Sequence, residues 1–360
     1  MLAGYQITLM NLAIFFGQYL IVATALNFQY GNAGIPNMSN NLSVAVGAYT
    51  VSSLVFRISM WAVESAGVTW VPGWVSGNPY NATIMTQFMR TNPLLGIALY
   101  LVSIALALVL GSVLGFILAT ISSGLRATYL MMFLYIISSA GRVIAANNEW
   151  IACGTLGAFV PNFLSWYRGE NMLIIALTTM LVGIFMYFTI RSMQNSPFGR
   201  LMRAVRENEW TVMSVGKNIT KLRREVMMFS SGLMAVTGVL MAFYYNFVQA
   251  NIYDQNTYTI WPWLMITIGG TGNNAGALIG VIVGVVLLKG FTAINLIFGQ
   301  VIANTGQATL ILRYEEVFLG ILLVAFLALK PRGLIPEKQL YIPGINYKGI
   351  VKSSKIPEQS

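Results

Sequence analysis

Leu94-Leu-Gly-Ile-Ala-Leu-Tyr-Leu-Val-Ser-Ile-Ala-Leu-Ala-Leu-Val-Leu-Gly-Ser-Val-Leu-Gly-Phe-Ile-Leu-Ala-Thr-Ile121 carries no charged side chain from end to end. As a helix it extends about 40 Å, more than the hydrocarbon thickness of a bilayer. It is apolar on every side, so no single buried stripe in a globular core accommodates it. Blocks of the same kind recur at 9–28, 44–63, 129–146, 172–190, 226–248 and 275–297, with a shorter one at 317–329. The chain as a whole is 56% hydrophobic and 9% charged, against about 25% charged in soluble domains. Lipid is therefore the solvent, and soluble-enzyme and DNA-binding readings are nearly excluded. The expected fold is an all-α integral membrane protein of about eight to ten transmembrane helices with broken or re-entrant segments. The run 260–269 is too short to cross alone and is the first candidate for a half-helix.

The net charge of +10 does not point to nucleic acid, because of where it sits. Residues 191–224 hold eight basic and two acidic side chains, and residues 330–360 hold six and two. The remainder is balanced. Basic residues concentrated beside apolar spans mark cytoplasmic segments, so 191–224 and the tail are expected inside. By parity, 65–93 and 147–171 then lie outside, while the side of the N-terminus stays open. The 65–93 segment, rich in Trp, Pro, Gly and Asn, reads as an outer segment with the acceptor pattern Asn81-Ala-Thr83, where Asn81 is expected to be exposed for glycosylation if the host glycosylates. No histidine is present, which removes the usual proton switch and most transition-metal sites. The lone Cys153 permits no internal disulfide and reads as a small packing residue. The first block, without a charged leader or a small-residue cleavage site, is expected to be a membrane helix rather than a signal peptide.

Three polar segments interrupt the apolar blocks. Residues 27–41 contain five asparagines, one glutamine, two glycines and a proline between two spans. Non-helical backbone at membrane depth is tolerated where it lines a cavity, and amides offer donors and acceptors without a buried charge. The segment is thus either a substrate-lining strip, with Asn27, Gln29, Asn32, Asn37, Asn40 and Asn41 as candidates, or a plain solvated loop. Ile268-Gly-Gly-Thr-Gly272-Asn273 is either a break in a membrane helix, with Gly269, Gly270, Gly272 and Asn273 facing the pathway, or a tight turn. No Gly-Lys-Ser/Thr follows, which argues against a nucleotide loop. In the third segment, Ser196-Pro197 is a cap residue followed by proline at the first helical position. Arg200, Arg203 and Glu207 then share a face, with Arg203 and Glu207 spaced to pair, and Gly216 ends the run. A polar helix pair of this kind suits either a soluble partner or anionic lipid. Ion-coupled carriers bury an ionisable group inside a span, and no clear example is seen here.

Ser196-Pro-Phe-Gly-Arg-Leu-Met-Arg-Ala-Val-Arg-Glu-Asn-Glu209, with Val215-Gly216 after it, closely resembles the coupling-loop signature of branched-chain amino-acid ABC permeases of the LivM type. The likeness extends to Ala25–Gly34, Val46-Gly-Ala-Tyr-Thr50, Leu125–Leu130, Arg142, Asn147-Asn148, Ile268–Gly280 and Lys330-Pro-Arg-Gly-Leu334. Asn40-Asn41-Leu42 and Thr211-Val212 depart from the family pattern. The resemblance implies a permease domain over residues 1–335 with a cytoplasmic polar tail at 336–360. It implies a second related permease, two cytoplasmic ATP-binding subunits and an extracytoplasmic binding protein as partners, with the lipid bilayer around them and no nucleic acid. Arg203, Arg206, Glu207, Asn208, Glu209 and Gly216 would fall in the ATPase-docking loop. This chain would bind no cofactor or metal and carry no catalytic residue, ATP being used by the partner. The implied cargo is branched-chain or other apolar amino acids, with urea or amides, nucleosides and sugars as alternatives. A secondary transporter or channel is the alternative from another class.

Overall fold

The computed structural model describes residues 2–64, 67–167, 171–302, 320–321, 324, 326, 328–330 and 333–337. The expected tail domain at 336–360 and the span at 317–329 fall almost wholly outside these residues. The described residues are mostly helical: α1 (Leu2–Leu26), α2 (Asn40–Tyr49), α3 (Phe56–Glu64), α4 (Trp74–Thr91), α5 (Pro93–Ile121), α6 (Ala127–Asn147), the single turn α7 (Glu149–Ala152), α8 (Asn171–Asn195), α9 (Pro197–Glu207), α10 (Glu209–Ser214), α11 (Ile219–Tyr245), α12 (Trp261–Gly269) and α13 (Asn274–Ile302). π-helical turns prolong α1 over Asn27–Asn32, join α2 to α3 over Thr50–Val55, and precede α12 over Asn256–Ile260. Among the described residues six helical runs are long and apolar enough to span a bilayer, and a seventh arises if α12 and α13 are one broken span.

Helix α11 is the axis of the bundle, buried along nearly all of its membrane-spanning part. Helices α2 and α5 close on it through small residues, which substitute for a hydrophobic driving force that lipid cannot supply. Gly111 and Gly115 of α5 lie against Ser231, Gly232, Ala235 and the Met227 carbonyl. Gly47 of α2 lies against the Ala235 carbonyl, and Gly238 of α11 against the Val44 carbonyl and Ala48 amide.

Two contacts orient the bundle. The Tyr244 hydroxyl, at the far end of α11, donates to Asn11 Oδ1 at 2.6 Å, whereas Gly31 beyond the other end of α1 meets Arg206 of α9. The start of α1 therefore lies at the end of the bundle opposite the α9–α10 loop. At that far end the three connections form one cap. The strands β1 (Ala158–Phe159) and β2 (Phe247–Val248) pair antiparallel, Ala158 opposite Val248. Asn78 Oδ1 of α4 accepts from Phe159 N at 2.6 Å, and Asn162 N donates to Thr86 Oγ1 at 3.0 Å.

This cap corrects one expectation. Within the 65–93 segment, Gly77, Asn78, Asn81, Ala82, Met85 and Met89 recur at helical spacing and form the buried stripe of α4. Asn81 is 4% exposed, its amide closing on the Val71 backbone at 2.9 and 3.0 Å. It is not presented for glycosylation. Cys153 is the packing residue expected of it, 3% exposed. Burial pushes its thiol up to about 11, against the pull of the Arg57 guanidinium and with a further push from Glu149. Because the thiolate is the nucleophile, iodoacetamide should label the folded protein slowly at pH 7.5 and faster as pH rises toward that value. Labelling at pH 7.5 as fast as that of a free cysteine would contradict this.

Candidate functional site

Residues 27–41 are not a solvated loop. Asn27, Gln29, Asn37 and Asn40 are fully buried, and Asn32 and Asn41 are 1% exposed. Most of the amides close on neighbouring groups. Gln29 accepts from Asn37 Nδ2 at 3.0 Å and donates to Ser230 Oγ of α11. Asn37 Oδ1 accepts from the Ser39 amide and hydroxyl at 2.8 and 2.7 Å. Asn32 Nδ2 donates to the Asn27 carbonyl at 3.1 Å. Asn41 exchanges bonds with Thr259 ahead of α12, giving its backbone N–H and accepting from the hydroxyl, both at 3.2 Å. Asn40 is the exception, with neither amide atom partnered among the described residues. Both amide atoms of Gln18 in α1 are in the same condition. An unmet buried amide costs about 1–3 kcal/mol per group.

The second segment meets the first. Asn27 Oδ1 accepts from Gly272 N at 2.9 Å, so the two polar interruptions touch at the α9 end of the bundle. Here α12 and α13 diverge by 119°, yet remain in close contact where Gly269 lies against Gly276. Gly270 and Gly272 hold positive φ of 113° and 81°, conformations that cost a residue with a Cβ. The carbonyls orphaned at the end of α12 are met by the chain's own later segment: Leu334 N donates to Ile268 O and Ile335 N to Gly269 O, each at 2.9 Å. Asn273 Oδ1 accepts from Ala275 N at 3.0 Å and starts α13. A cavity of about 380 Å³ opens beside this break, lined by Asn32, Arg191, Arg203, Gly272, Asn273 and Glu337.

The third segment folds as two short helices, with two changes from expectation. Ser196 precedes α9, but its hydroxyl bonds back to the Met193 carbonyl at 2.6 Å instead of capping. Arg203 does not pair with Glu207; its guanidinium folds onto the Gln194 carbonyl at 3.3 Å. Arg206 takes Glu207 instead, at 2.9 Å, together with Glu337 at 2.8 Å and the Gly31 carbonyl. Burial opposes the Arg206 charge, and the two carboxylates outweigh it, holding the guanidinium above its ordinary value. Arg206 is thus the point where loop helix, π-turn and post-span segment converge. Phe198 of α9 also stacks on Phe28 of that turn, ring centroids 6.4 Å apart. Asn208 Oδ1 caps α10 through Thr211 N at 3.2 Å, and Glu209 pairs with Arg223 at the foot of α11. Gly216, at φ 76°, ends the pair.

Ionisable groups do lie inside spans, contrary to expectation. Arg57 rests on the Trp74 and Trp150 rings at 4.1 and 4.7 Å. Lys289 of α13 sits over Phe15 at 3.7 Å. Arg142 lies in α6 and is exposed. Single basic residues inside apolar blocks were the available signal.

The family model described as branched-chain amino acid transport system / permease component matches residues 8–327. A protein of Methanocaldococcus jannaschii, named a probable branched-chain amino acid transport permease protein LivM, is 33% identical over 348 residues, covering 95% of this chain and 97% of the relative. No solved structure matches. The whole membrane-spanning region is thus shared with proteins of this kind, and the chain belongs to the family of permease components of branched-chain amino acid transport systems.

Proposed function

We propose that the chain is the membrane-spanning permease subunit of an ATP-driven importer that carries branched-chain or other apolar amino acids by alternating access. The observation that supports this best is the convergence at Arg206. A helix on a basic, polar loop is bonded directly to the π-turn of α1 and to the segment that closes the broken span. Force applied to that helix reaches both polar interruptions of the bundle without crossing lipid. The loop also displays Trp210 at 80% exposure and Val215 at 73%. Large apolar side chains so exposed on a polar loop fit a soluble partner's groove. In this reading two ATP-binding subunits dock there from the cytoplasm, a second related permease completes the pathway, and an extracytoplasmic binding protein delivers cargo to the opposite cap. ATP is bound and hydrolysed by the partner subunits. The pathway includes the strip from Asn27 to Asn41 and the Gly269–Asn273 break, whose closed hydrogen bonds make this end the gate. The unmet amides of Asn40 and Gln18 fit groups that find partners in another state of the cycle.

Uptake of leucine by the complex reconstituted in vesicles, competed by urea and by ribose, tests the cargo. Leucine is expected to saturate transport and the other two to leave it unchanged. Uptake of urea or ribose that leucine does not inhibit would overturn the amino-acid assignment.

A further inference from the structure

Among the described spans helix α6 is the least covered. Tyr135 is 46% exposed, Ile136 66%, Val143 56% and Ile144 61%. On the same helix, at spacings of four and three, stand Tyr135, Ser139 and Arg142. Arg142 is exposed and has no hydrogen bond or ion pair among the described residues. A guanidinium turned toward hydrocarbon is costly, and intramembrane charges almost always face a protein interior or a water-filled path. Escape to the near interface is disfavoured by geometry. The helix ends five residues later, but side chains lean toward a helix's N-terminus, which here is toward the membrane interior.

The surroundings of Arg142 fit a polar path rather than lipid. Gly141 beside it abuts Leu42 of α2. The Gln255 amide donates to the Tyr135 carbonyl and to the Ser138 and Ser139 hydroxyls at 2.8 to 3.0 Å, fixing a polar surface along α6. The Tyr49 hydroxyl at the end of α2 is buried and unpartnered, and lies within electrostatic reach of Arg142. Tyr49 sits two residues beyond Gly47, the point where α2 presses on α11 in the middle of the bundle. An unpaired guanidinium within electrostatic reach of a buried, unpaired hydroxyl is a pair of donors able to face one anionic acceptor. The strip from Asn27 to Asn41 offers no charge and is mostly closed on itself.

We propose that Arg142 and the Tyr49 hydroxyl bind the carboxylate of the transported amino acid, on a face of α6 that turns toward the second permease and lines the pathway. This rests on the functional reading above and narrows its cargo to carboxylate-bearing substrates. It separates them from urea, sugars and nucleosides, which carry no anion.

Two experiments on the assembled complex test it. In vesicles, Arg142→Ala should lower leucine uptake about ten- to hundredfold, the loss expected for a charge-assisted hydrogen bond. The preference for leucine over leucinamide should collapse, and Arg142→Lys should recover part of the uptake. Separately, Arg142→Cys in a Cys153→Ser chain should react with a membrane-impermeant sulfonate thiol reagent, and leucine should slow the reaction. Wild-type leucine uptake by Arg142→Ala would overturn the proposal, as would a position-142 thiol that reacts with lipid-soluble maleimide alone. In either case leucine transport by the wild type would leave the amino-acid reading standing. A wild type that carries urea or ribose and not leucine overturns both.

Discussion

Gly238→Ala is expected to lower the melting temperature of the detergent-solubilised protein by about 6–10 °C, from an overpacking cost of about 3 kcal/mol. Gly238→Val should leave little folded protein in the membrane fraction. A Cβ at this position would land on the Val44 carbonyl oxygen, with the Ala48 amide and the Val44 carbonyl carbon within 3 Å. All three are backbone atoms of α2, so no side chain can rotate aside, and relief requires moving one helix off the other. Gly47 makes the reciprocal approach to Ala235, so the two glycines set the separation of α2 and α11 together. Gly290→Ala is the control. Among the described residues its Cβ would meet Val286 Cγ1 alone, at 3.9 Å, and helix propensity favours Ala by about 1 kcal/mol, so it should match or exceed the wild type. Equal melting of Gly238→Ala and wild type would refute the close-packed interface.

The membrane character and most span positions were legible because lipid imposes one blunt requirement: every backbone group is satisfied within a long apolar helix. The span at Pro93–Ile121 differs by one residue from the block read in the sequence. Where a helix packs on protein, that signal fades. The stripe of α4 that packs on the far-end cap includes Asn78 and Asn81, so its helical period was masked by polar letters. The break at Gly269–Asn273 was visible as glycines. The π-turn at Asn27–Asn32 was not, since a shifted hydrogen-bond ladder leaves no compositional mark. The gathering of the asparagine strip, the glycine break and Arg206 at one end depends on how α1, α9 and α12 pack, with partners up to 245 residues apart. Arg203 and Glu207 show the limit of spacing rules. An i,i+4 pair is worth about 0.3–0.5 kcal/mol, and Glu207 turned instead to the neighbouring Arg206.

Arg206→Ala is expected to cut substrate moved per ATP hydrolysed by about tenfold while hydrolysis continues. This is the low end for charge-assisted bonds, because the site is partly exposed to solvent. The side chain joins acceptors on three segments that the sequence keeps far apart: Gly31 after α1, Glu207 ending α9, and Glu337 beyond the last span. Truncation leaves the Gly31 carbonyl and a Glu337 carboxylate, 31% exposed, without their donor. The break between α12 and α13 then loses its only described ion pair to the loop. Arg206→Lys should rescue little, since an ammonium cannot present a planar fork to separate acceptors. Glu337→Gln, which keeps shape and removes charge, should cost less, about threefold. Arg200→Ala should leave the Arg206 contacts to Gly31, Glu207 and Glu337 in place, because Arg200 is exposed on the same helix with no partner among the described residues. The decisive measurement is the double variant Arg206→Ala with Glu337→Gln. If the two groups act through each other, its defect should equal that of Arg206→Ala alone. Independent, multiplying defects would mean that the loop reaches the broken span by another route. Arg203 is a poor candidate for that route, because its guanidinium folds back onto Gln194 within the same hairpin and so cannot transmit a displacement of α9 to α1 or to the break.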